Sequence, residues 1–158
     1  MRLLRLVTAL LLLSASPALA DVTGFVGLTT TPSSRPVSGF AIGAGLLIVG
    51  FEFEYAHTRA EDDEAAPSLH TYMGNVLLQT PFPIAGMQFY FTTGAGGYRE
   101  SLEPVRQETN VGLNTGGGAK ISLIGPIRAR VDYRVFRLKG DALHDTVHRF
   151  YAGVNVAF

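Results

Sequence analysis

Apolar and polar side chains alternate along most of the chain after residue 20, which is the pattern of strands with two unlike faces. The last ten residues show it clearly, since Phe150, Val154 and Phe158 fall on one face and Arg149 and Asn155 on the other. No later stretch repeats its apolar residues every 3.6 positions for long enough to predict a helix. The pattern predicts an all-β protein. Its expected strands are 22–30, 38–48, 51–58, 68–80, 87–97, 109–123, 127–138 and 147–158.

The connections between these strands alternate in character. Those after the odd-numbered strands are longer and polar, at 31–37, 59–67, 98–108 and 139–146. Those after the even-numbered strands are short and contain Gly or Pro, at 49–50, 81–86 and 124–126. Short turns at one end, longer loops at the other and an even strand count are typical of transmembrane barrels. We therefore predict an eight-stranded antiparallel up-and-down transmembrane β-barrel.

The two faces of the strands predict which side meets lipid. One face is almost wholly apolar, as at Phe40, Ile42, Phe51 and Phe53, and the other carries charges of both signs. We assign the apolar face to lipid and the charged face to the lumen, whereas a soluble lipocalin-like barrel would have them reversed. The predicted lumen charge network is Glu52, Glu54, Lys120, Arg128, Arg130, Asp132 and Arg134. Aromatic residues near strand ends predict interfacial girdles, and they are Phe51, Tyr72, Phe82, Tyr98, Phe136 and Phe158.

The lumen of an eight-stranded barrel is just wide enough for its own side chains. Buried charges there have to pair, because an isolated buried ion is costly. We expect Glu52 and Glu54 to pair with cations among Lys120, Arg128, Arg130 and Arg134, although the sequence does not assign the pairs. Such a network fills and stiffens the barrel. The alternative is a narrow channel for ions or small solutes.

The first twenty residues predict a secretory signal peptide, with Arg2 and Arg5 before a short apolar core and Ala18-Leu19-Ala20 as the cleavage pattern. Residues 6–13 are too few to cross a bilayer as a helix. The expected domains are the signal peptide, 1–20, and the barrel, 21–158. There is no Cys, so no disulfide forms. Without Arg2 and Arg5 the chain has two more acidic than basic side chains, a balance that argues against nucleic-acid binding.

The closing residues Tyr151, Gly153, Val156 and Phe158 are similar in type and spacing to the C-terminal assembly signal of bacterial outer-membrane barrels. Together with the signal peptide and the segment Gly50–Tyr55, they make residues 22–158 resemble the small outer-membrane β-barrel superfamily, the OmpA/OmpX/OmpW-like group. The resemblance implies residence in the outer membrane of a Gram-negative envelope and insertion by the barrel-assembly machinery. It also implies contact with outer-membrane lipid and lipopolysaccharide.

Two groups of residues raise the question of catalysis. Ser68 and His70 follow the acidic run 61–64, and a serine, a histidine and an acid are what nucleophilic hydrolysis requires. Some small barrels are lipid-A-modifying hydrolases, so this activity is an alternative function. His144 and His148 are four residues apart but lie where a loop enters a strand, which does not bring them onto one helix face for a metal. We expect no enzyme activity, no cofactor and no metal, and a structural or surface-interaction role.

Overall fold

The computed structural model describes residues 19–61, 66–102 and 106–158, and these form a closed antiparallel barrel. The predicted fold class is confirmed. Each strand pairs with its neighbours in the chain, and the first pairs with the last. The strands are β1 (Leu19–Thr29), β2 (Arg35–Leu46), β3 (Val49–Thr58), β4 (Ser68–Gln79), β5 (Met87–Leu102), β6 (Arg106–Ile124), β7 (Ile127–Leu138) and β8 (Thr146–Ala157). Within the described residues, no helix is long and apolar enough to cross a membrane.

The barrel closes where β1 meets β8. Their register places Val22 opposite Val156 and Gly24 opposite Val154. Beyond the paired strands, the Ala20 amide donates to the Phe158 carbonyl at 3.1 Å, and the Phe158 amide donates back at 2.9 Å. No strand edge is left open in the described sheet, as a surrounding of lipid requires. The predicted cleavage site after Ala20 falls at the start of β1, but residues 1–18 lie outside the described residues, so the signal peptide stays a prediction.

The acidic side chains of the described strands point inward, and so do most of the basic ones, whereas Arg99 and Arg137 near the loop end point outward. On β3, Phe51 and Phe53 are 64% and 47% exposed, while Glu52 and Glu54 are 5% and 0% exposed. In water this order would expose large apolar surfaces and bury ions, both unfavourable. It is favourable when the outer face meets hydrocarbon. The faces are therefore those of a membrane barrel, and the soluble lipocalin-like alternative is wrong.

The connections lie at the two ends of the barrel, which we call the turn end and the loop end, and their lengths overlap because residues 80–86 form a longer connection than residues 30–34. The turn end carries the two-residue turns Leu47-Ile48 and Gly125-Pro126, together with residues 80–86, and the loop end carries the described residues 30–34, 59–61, 66–67 and 139–145. The predicted turn at Val49-Gly50 is wrong, because both residues belong to β3 and pair with Leu46 and Gly45. The turn is two residues earlier, at Leu47-Ile48, where Leu47 has a positive φ of 48°. The apolar residues at this turn carry no Gly, Asn or Asp signal, so the sequence pattern places the turn at the following Gly50 instead.

The predicted loop 98–108 is also wrong. β5 continues to Leu102 and β6 begins at Arg106, with Arg99 paired between His70 and Thr109. Tyr98 and Glu100 are buried, so the inward and outward alternation continues past the expected strand end. Polar outward residues here predicted a loop, but strands that rise above the lipid also carry polar outward residues. The link between these strands, residues 103–105, lies outside the described residues.

Two of the six predicted girdle aromatics are inside the lumen. Tyr98 and Phe136 are buried at 1% and 0% exposure. The other four are exposed: Phe51 and Tyr72 on the outer face of their strands, Phe82 in the connection 80–86, and Phe158 directly after β8. The misplaced pair occupies inward positions of β5 and β7, in phase with Tyr90 and Arg134. Strand parity therefore gives the correct face here, and nearness to a strand end does not.

The extended hairpin of β5 and β6 changes where the folded protein should be cut. Trypsin should cleave first after Arg59 and Lys139, whose side chains are exposed in connections, and last after Arg99, whose strand is paired on both sides. Proteases need a locally opened backbone, and paired strands open least. Timed digestion of the protein folded in lipid vesicles, read by mass spectrometry, measures the order, with the urea-unfolded chain as control. Early cleavage after Arg99 would instead restore the loop at 98–108.

Candidate functional site

The centre of the lumen holds three guanidiniums and three carboxylates. β7 contributes alternate residues Arg130, Asp132 and Arg134, which point inward because side chains on a strand alternate. β3 lies across the barrel and contributes Glu52 and Glu54. β8 adds a sixth member, Arg149. All six side chains are buried, and their formal charges balance. We call these six residues the central cluster.

Glu52 binds two arginines at once. Arg130 donates to it through both terminal nitrogens. Its Nη1 donates to Oε2, and its Nη2 donates to Oε1 at 3.2 Å. Arg134 Nη2 donates to Oε1 at 2.8 Å. A forked guanidinium on a carboxylate is among the strongest pairings that a protein uses. Glu52 therefore links β3 to the opposite side of the barrel at two points.

Glu54 is held in the same way one layer nearer the loop end. Arg149 Nη1 donates to its Oε1 at 3.1 Å, and Arg134 Nη1 lies 2.9 Å from its Oε2. The Arg149 guanidinium also lies 4.2 Å from the ring centre of Phe136, a cation–π distance. Arg149 was assigned to the lumen face by the alternation but was not included in the predicted network. Its inward parity was the signal that could have added it.

Asp132 is the hub of the cluster. It accepts from Arg130 Nη2 at 3.2 Å and from Arg134 Nε at 3.0 Å. The hydroxyl of Tyr151 donates to it at 3.0 Å, and the hydroxyl of Tyr90 does so as well. Four donors satisfy a carboxylate that is buried away from water. The tyrosines thereby complete the network, and sequence patterning had not assigned them to it.

A second charge cluster lies at the turn end. Asp21 pairs with Lys120, and Arg128 Nη2 donates to the same carboxylate at 3.1 Å. Arg128 Nε also donates to Asn155 Oδ1 at 2.7 Å. The seven predicted network residues thus divide between two clusters, with Lys120 and Arg128 away from Glu52 and Glu54. Asp21 was missed because, as the first residue after the predicted cleavage site, it did not look like part of a strand face.

A small cavity opens between these clusters. It has a volume of about 30 Å³ and is lined by Asp21, Glu52, Lys120 and Arg128, with glycines opposite. A site of this size and polarity has room for a water molecule or two. The two charge clusters are joined beside it through Thr23, which accepts from Asn155 at 2.8 Å and from Arg130 at 3.3 Å.

Apolar side chains close the lumen on the loop side of the central cluster. One buried group comprises Leu69, Met73, Tyr98, Phe136, Leu138 and Val147. A second comprises Phe25, Val37, Ala56 and Tyr151. The polar column from the turn end therefore meets packed apolar side chains, and the buried polar residues Thr29, Arg35, Thr58 and Glu100 lie nearer the loop end. The layer of apolar side chains excludes water and supports the burial of the charges beneath it.

Glycines make room for the largest lumen side chains at two positions. A Cβ on Gly116 would clash first with the Tyr133 carbonyl and would also lie 3.0 Å from Arg134 Cγ, and one on Gly153 would clash first with the Gly24 carbonyl and would also lie 2.8 Å from Phe25 Cβ. The Phe25 ring lies against Gly39 of β2, where a Cβ would be 2.6 Å from its Cζ, and it stacks on Tyr151 at 4.1 Å between ring centres. An aromatic ring placed over a strand glycine in this way compensates for its missing side chain.

The four predicted assembly-signal residues occupy different surroundings in the closed barrel. Tyr151 is buried in the lumen and Gly153 lies opposite Phe25 of β1, whereas Val156 and Phe158 face outward. Phe158 is 72% exposed at the turn end. A role for these residues in assembly stays a prediction.

The serine and histidine considered for hydrolysis lie together on the outer face, but they are bonded to other groups. Ser68 Oγ donates to the Ser101 carbonyl at 3.1 Å, and His70 Nδ1 pairs with the Tyr55 hydroxyl at 3.0 Å. Of the acidic run, Glu61 accepts from Ser33 at 2.9 Å, and residues 62–65 lie outside the described residues. No described carboxylate orients His70, as a base for hydrolysis requires.

Metal-ligand chemistry is likewise not assembled in the described part of the chain. No three His, Cys, Asp or Glu side chains are grouped there so that they could hold an ion. His148 Nδ1 instead pairs with the Tyr133 hydroxyl at 2.8 Å, on the outer face.

Comparison with known proteins supports the fold. The chain matches no protein-family model and no curated protein sequence. It is similar to the solved structure of Neisserial surface protein A (13% identity, TM-score 0.69, 90% of this chain and 98% of that one). It is also similar to the N-terminal β-barrel domain of Pseudomonas aeruginosa OprF (16%, 0.67, 89% and 97%) and to the outer membrane enzyme PagL (13%, 0.55, 86% and 98%). At these identities the likeness shows the fold, which is that of small outer-membrane β-barrels.

Proposed function

We propose that this chain is a non-enzymatic barrel of the bacterial outer membrane, with a sealed lumen and a structural or surface-interaction role in the envelope. Its surroundings would be outer-membrane lipid and lipopolysaccharide, and the barrel-assembly machinery would insert it. The observation that carries this proposal is the central cluster, in which three guanidiniums and three carboxylates are matched and buried beneath an apolar layer. A lumen filled in this way favours stiffness over transport.

Two measurements test the proposal. The purified barrel in a planar bilayer should give no resolved single-channel steps, with a porin in the same bilayer as the positive control. Cells that lack the chain should admit a large antibiotic such as vancomycin more readily, and expression of the chain should reverse this. Unchanged permeability in such cells would contradict a structural role in the envelope.

A narrow channel is the second candidate, because polar groups line the lumen from the turn end to the central cluster. The cavity beside Asp21 and Lys120 is continuous with this polar column. Conduction would require Arg130 or Arg134 to leave Glu52 and the apolar layer to open. Steady conductance in the bilayer experiment would put this function ahead of the sealed barrel.

The shared fold of the enzyme PagL makes catalysis a question for experiment. The bonding of Ser68 to a backbone carbonyl and of His70 to Tyr55 supports a non-catalytic role. Mass spectra of lipid A from cells with the wild-type chain and with Ser68→Ala should be identical. A change in acyl chains that depends on Ser68 would overturn the non-enzymatic proposal.

A further inference from the structure

Charge on the outer face of the barrel is confined to one end and has one sign. Among the described strand residues that face outward, none is acidic. The basic and imidazole side chains on this face are all near the loop end, and they are His57, His70, Arg99, Arg137 and His148. At the turn end, the described outward strand positions hold no charged side chain. The membrane surface at the loop end would therefore contact basic and imidazole side chains, whereas the surface at the turn end would contact no charged side chain of the described outward strand positions.

Three of these side chains lie in one row across adjacent strands. The register pairs His57 with His70 and His70 with Arg99, so β3, β4 and β5 each contribute one. The two imidazole rings stack with 4.3 Å between their centres. Arg99 Nη2 donates to Gln107 Oε1 at 3.3 Å. An open depression of about 330 Å³ adjoins the row, and its lining is Ser68, His70, Tyr72, Arg99, Ser101 and Gln107. We call the row of His57, His70 and Arg99, together with the lining of this depression, the outer patch.

The position of the outer patch along the strands fits the headgroup layer. Tyr55 and Tyr72 lie on the same face, two residues nearer the middle of the barrel, which is a step of about 7 Å. Beyond them the outer face becomes apolar, with Phe53 and Val76 exposed. Tyrosines commonly mark the boundary between hydrocarbon and headgroups. Groups one step above that boundary lie at the depth of lipid phosphates.

The chemistry of the patch selects an anion. Arg99 offers a forked donor, the imidazoles and the Gln107 amide offer further N–H groups, and the lining of the depression contains no carboxylate that competes for Arg99. Phosphate oxygens accept such donors in a fork, which is why arginine is common in phosphate sites. A metal ion is disfavoured because the guanidinium of Arg99 lies beside the imidazole that would bind it.

We propose that the outer patch binds the phosphate of an anionic lipid headgroup in the leaflet around the loop end. This rests on the membrane position given under the proposed function and adds a defined site to it. The lipid would lie against β3–β5 with its acyl chains on the apolar face below Tyr72 and its phosphate between His70 and Arg99.

Native mass spectrometry of the folded barrel, released from micelles that contain lipid A as the probe, tests the site. Arg99→Gln should lower the retained lipid A about tenfold, as expected for loss of a charge-assisted bond. Arg137→Gln removes the same charge from the outer face of β7, outside the depression, and should lower it no more than about twofold. A gel-shift test for the folded barrel accompanies each variant, and His70→Gln replaces Arg99→Gln if that protein fails to fold.

Three outcomes would overturn the proposal. The first is that neither Arg99→Gln nor His70→Gln lowers the retained lipid A. The second is that Arg137→Gln lowers it as much as Arg99→Gln does, which would mean a general attraction of the lipid to the basic residues of the loop end. The third is displacement of the lipid by inorganic phosphate in the micelle buffer, which is not expected and would identify free phosphate as the ligand. None of these outcomes alters the conductance result, so the outer patch and the sealed lumen can fail separately.

Discussion

Replacing Glu52 by alanine is expected to lower the free energy of unfolding by about 3–5 kcal/mol. Glu52 is the shared partner of Arg130 and Arg134, and all three side chains are buried. Its removal leaves two guanidiniums with one carboxylate fewer inside the barrel, and desolvated charge without a partner is costly. Water that enters the turn-end cavity would reduce the loss toward the lower figure.

Urea titration of folding in lipid vesicles measures this effect. Asp145→Ala is the control, because it removes the same charge type from an exposed connection and should change the free energy by no more than about 0.5 kcal/mol. A double-mutant cycle of Glu52→Ala with Arg130→Ala isolates their coupling. A coupling of zero would mean that the two groups are separately hydrated. The lumen would then be wet, and the channel would become the better function.

Arginine in place of Val154 is expected to destabilise the inserted barrel by about 2–4 kcal/mol, the cost of a charge near the bilayer midplane. Val154 faces outward on β8, between the apolar residues Phe150 and Phe158. The arginine cannot turn inward, since strand parity fixes its direction. The control is Thr146→Arg, which places the same charge on the same face of β8 but at the loop end. The urea titration should show that it lowers the free energy of unfolding by only about 0–1 kcal/mol.

Equal losses at Val154 and Thr146 would show that depth in the membrane does not matter, and the assignment of the outer face to lipid would fail. Alternation alone suggests Asn155→Arg as a control that adds charge to the lumen at little cost in stability, but the structure makes it unsuitable. Asn155 is fully buried, donates to Thr23 and accepts from Arg128. An arginine there would lose both bonds and face the existing guanidinium, so a substantial loss is expected.

Alternation predicted the barrel well because it reports a constraint repeated on every strand. A single slip would exchange the faces, so Phe51, Glu52, Phe53 and Glu54 could take only one arrangement around a lipid boundary. Strand ends were less predictable. Above the membrane the outer face of a strand and a loop have the same polar composition, and this is why Arg99 was placed in a loop.

The members of the charge network were more predictable than its pairs. Inward parity identified the row on β7 and the carboxylates on β3. Which cation meets which anion depends on how far the strands are staggered around the barrel, and no local pattern encodes that stagger. Lys120 therefore pairs with Asp21 in the charge cluster at the turn end, while Arg149, from the last strand, pairs with Glu54.

The order of the charges along the chain has a consequence for insertion. Through β7 the central cluster contains three carboxylates and only two guanidiniums, and β8 delivers the third, Arg149, together with Tyr151. A half-built sheet lacking its final strand would thus carry an excess negative charge at the point that must leave water. The strand that seals the seam also neutralises the interior. We therefore expect passage into the bilayer to be concerted, with no stable seven-stranded intermediate on the way.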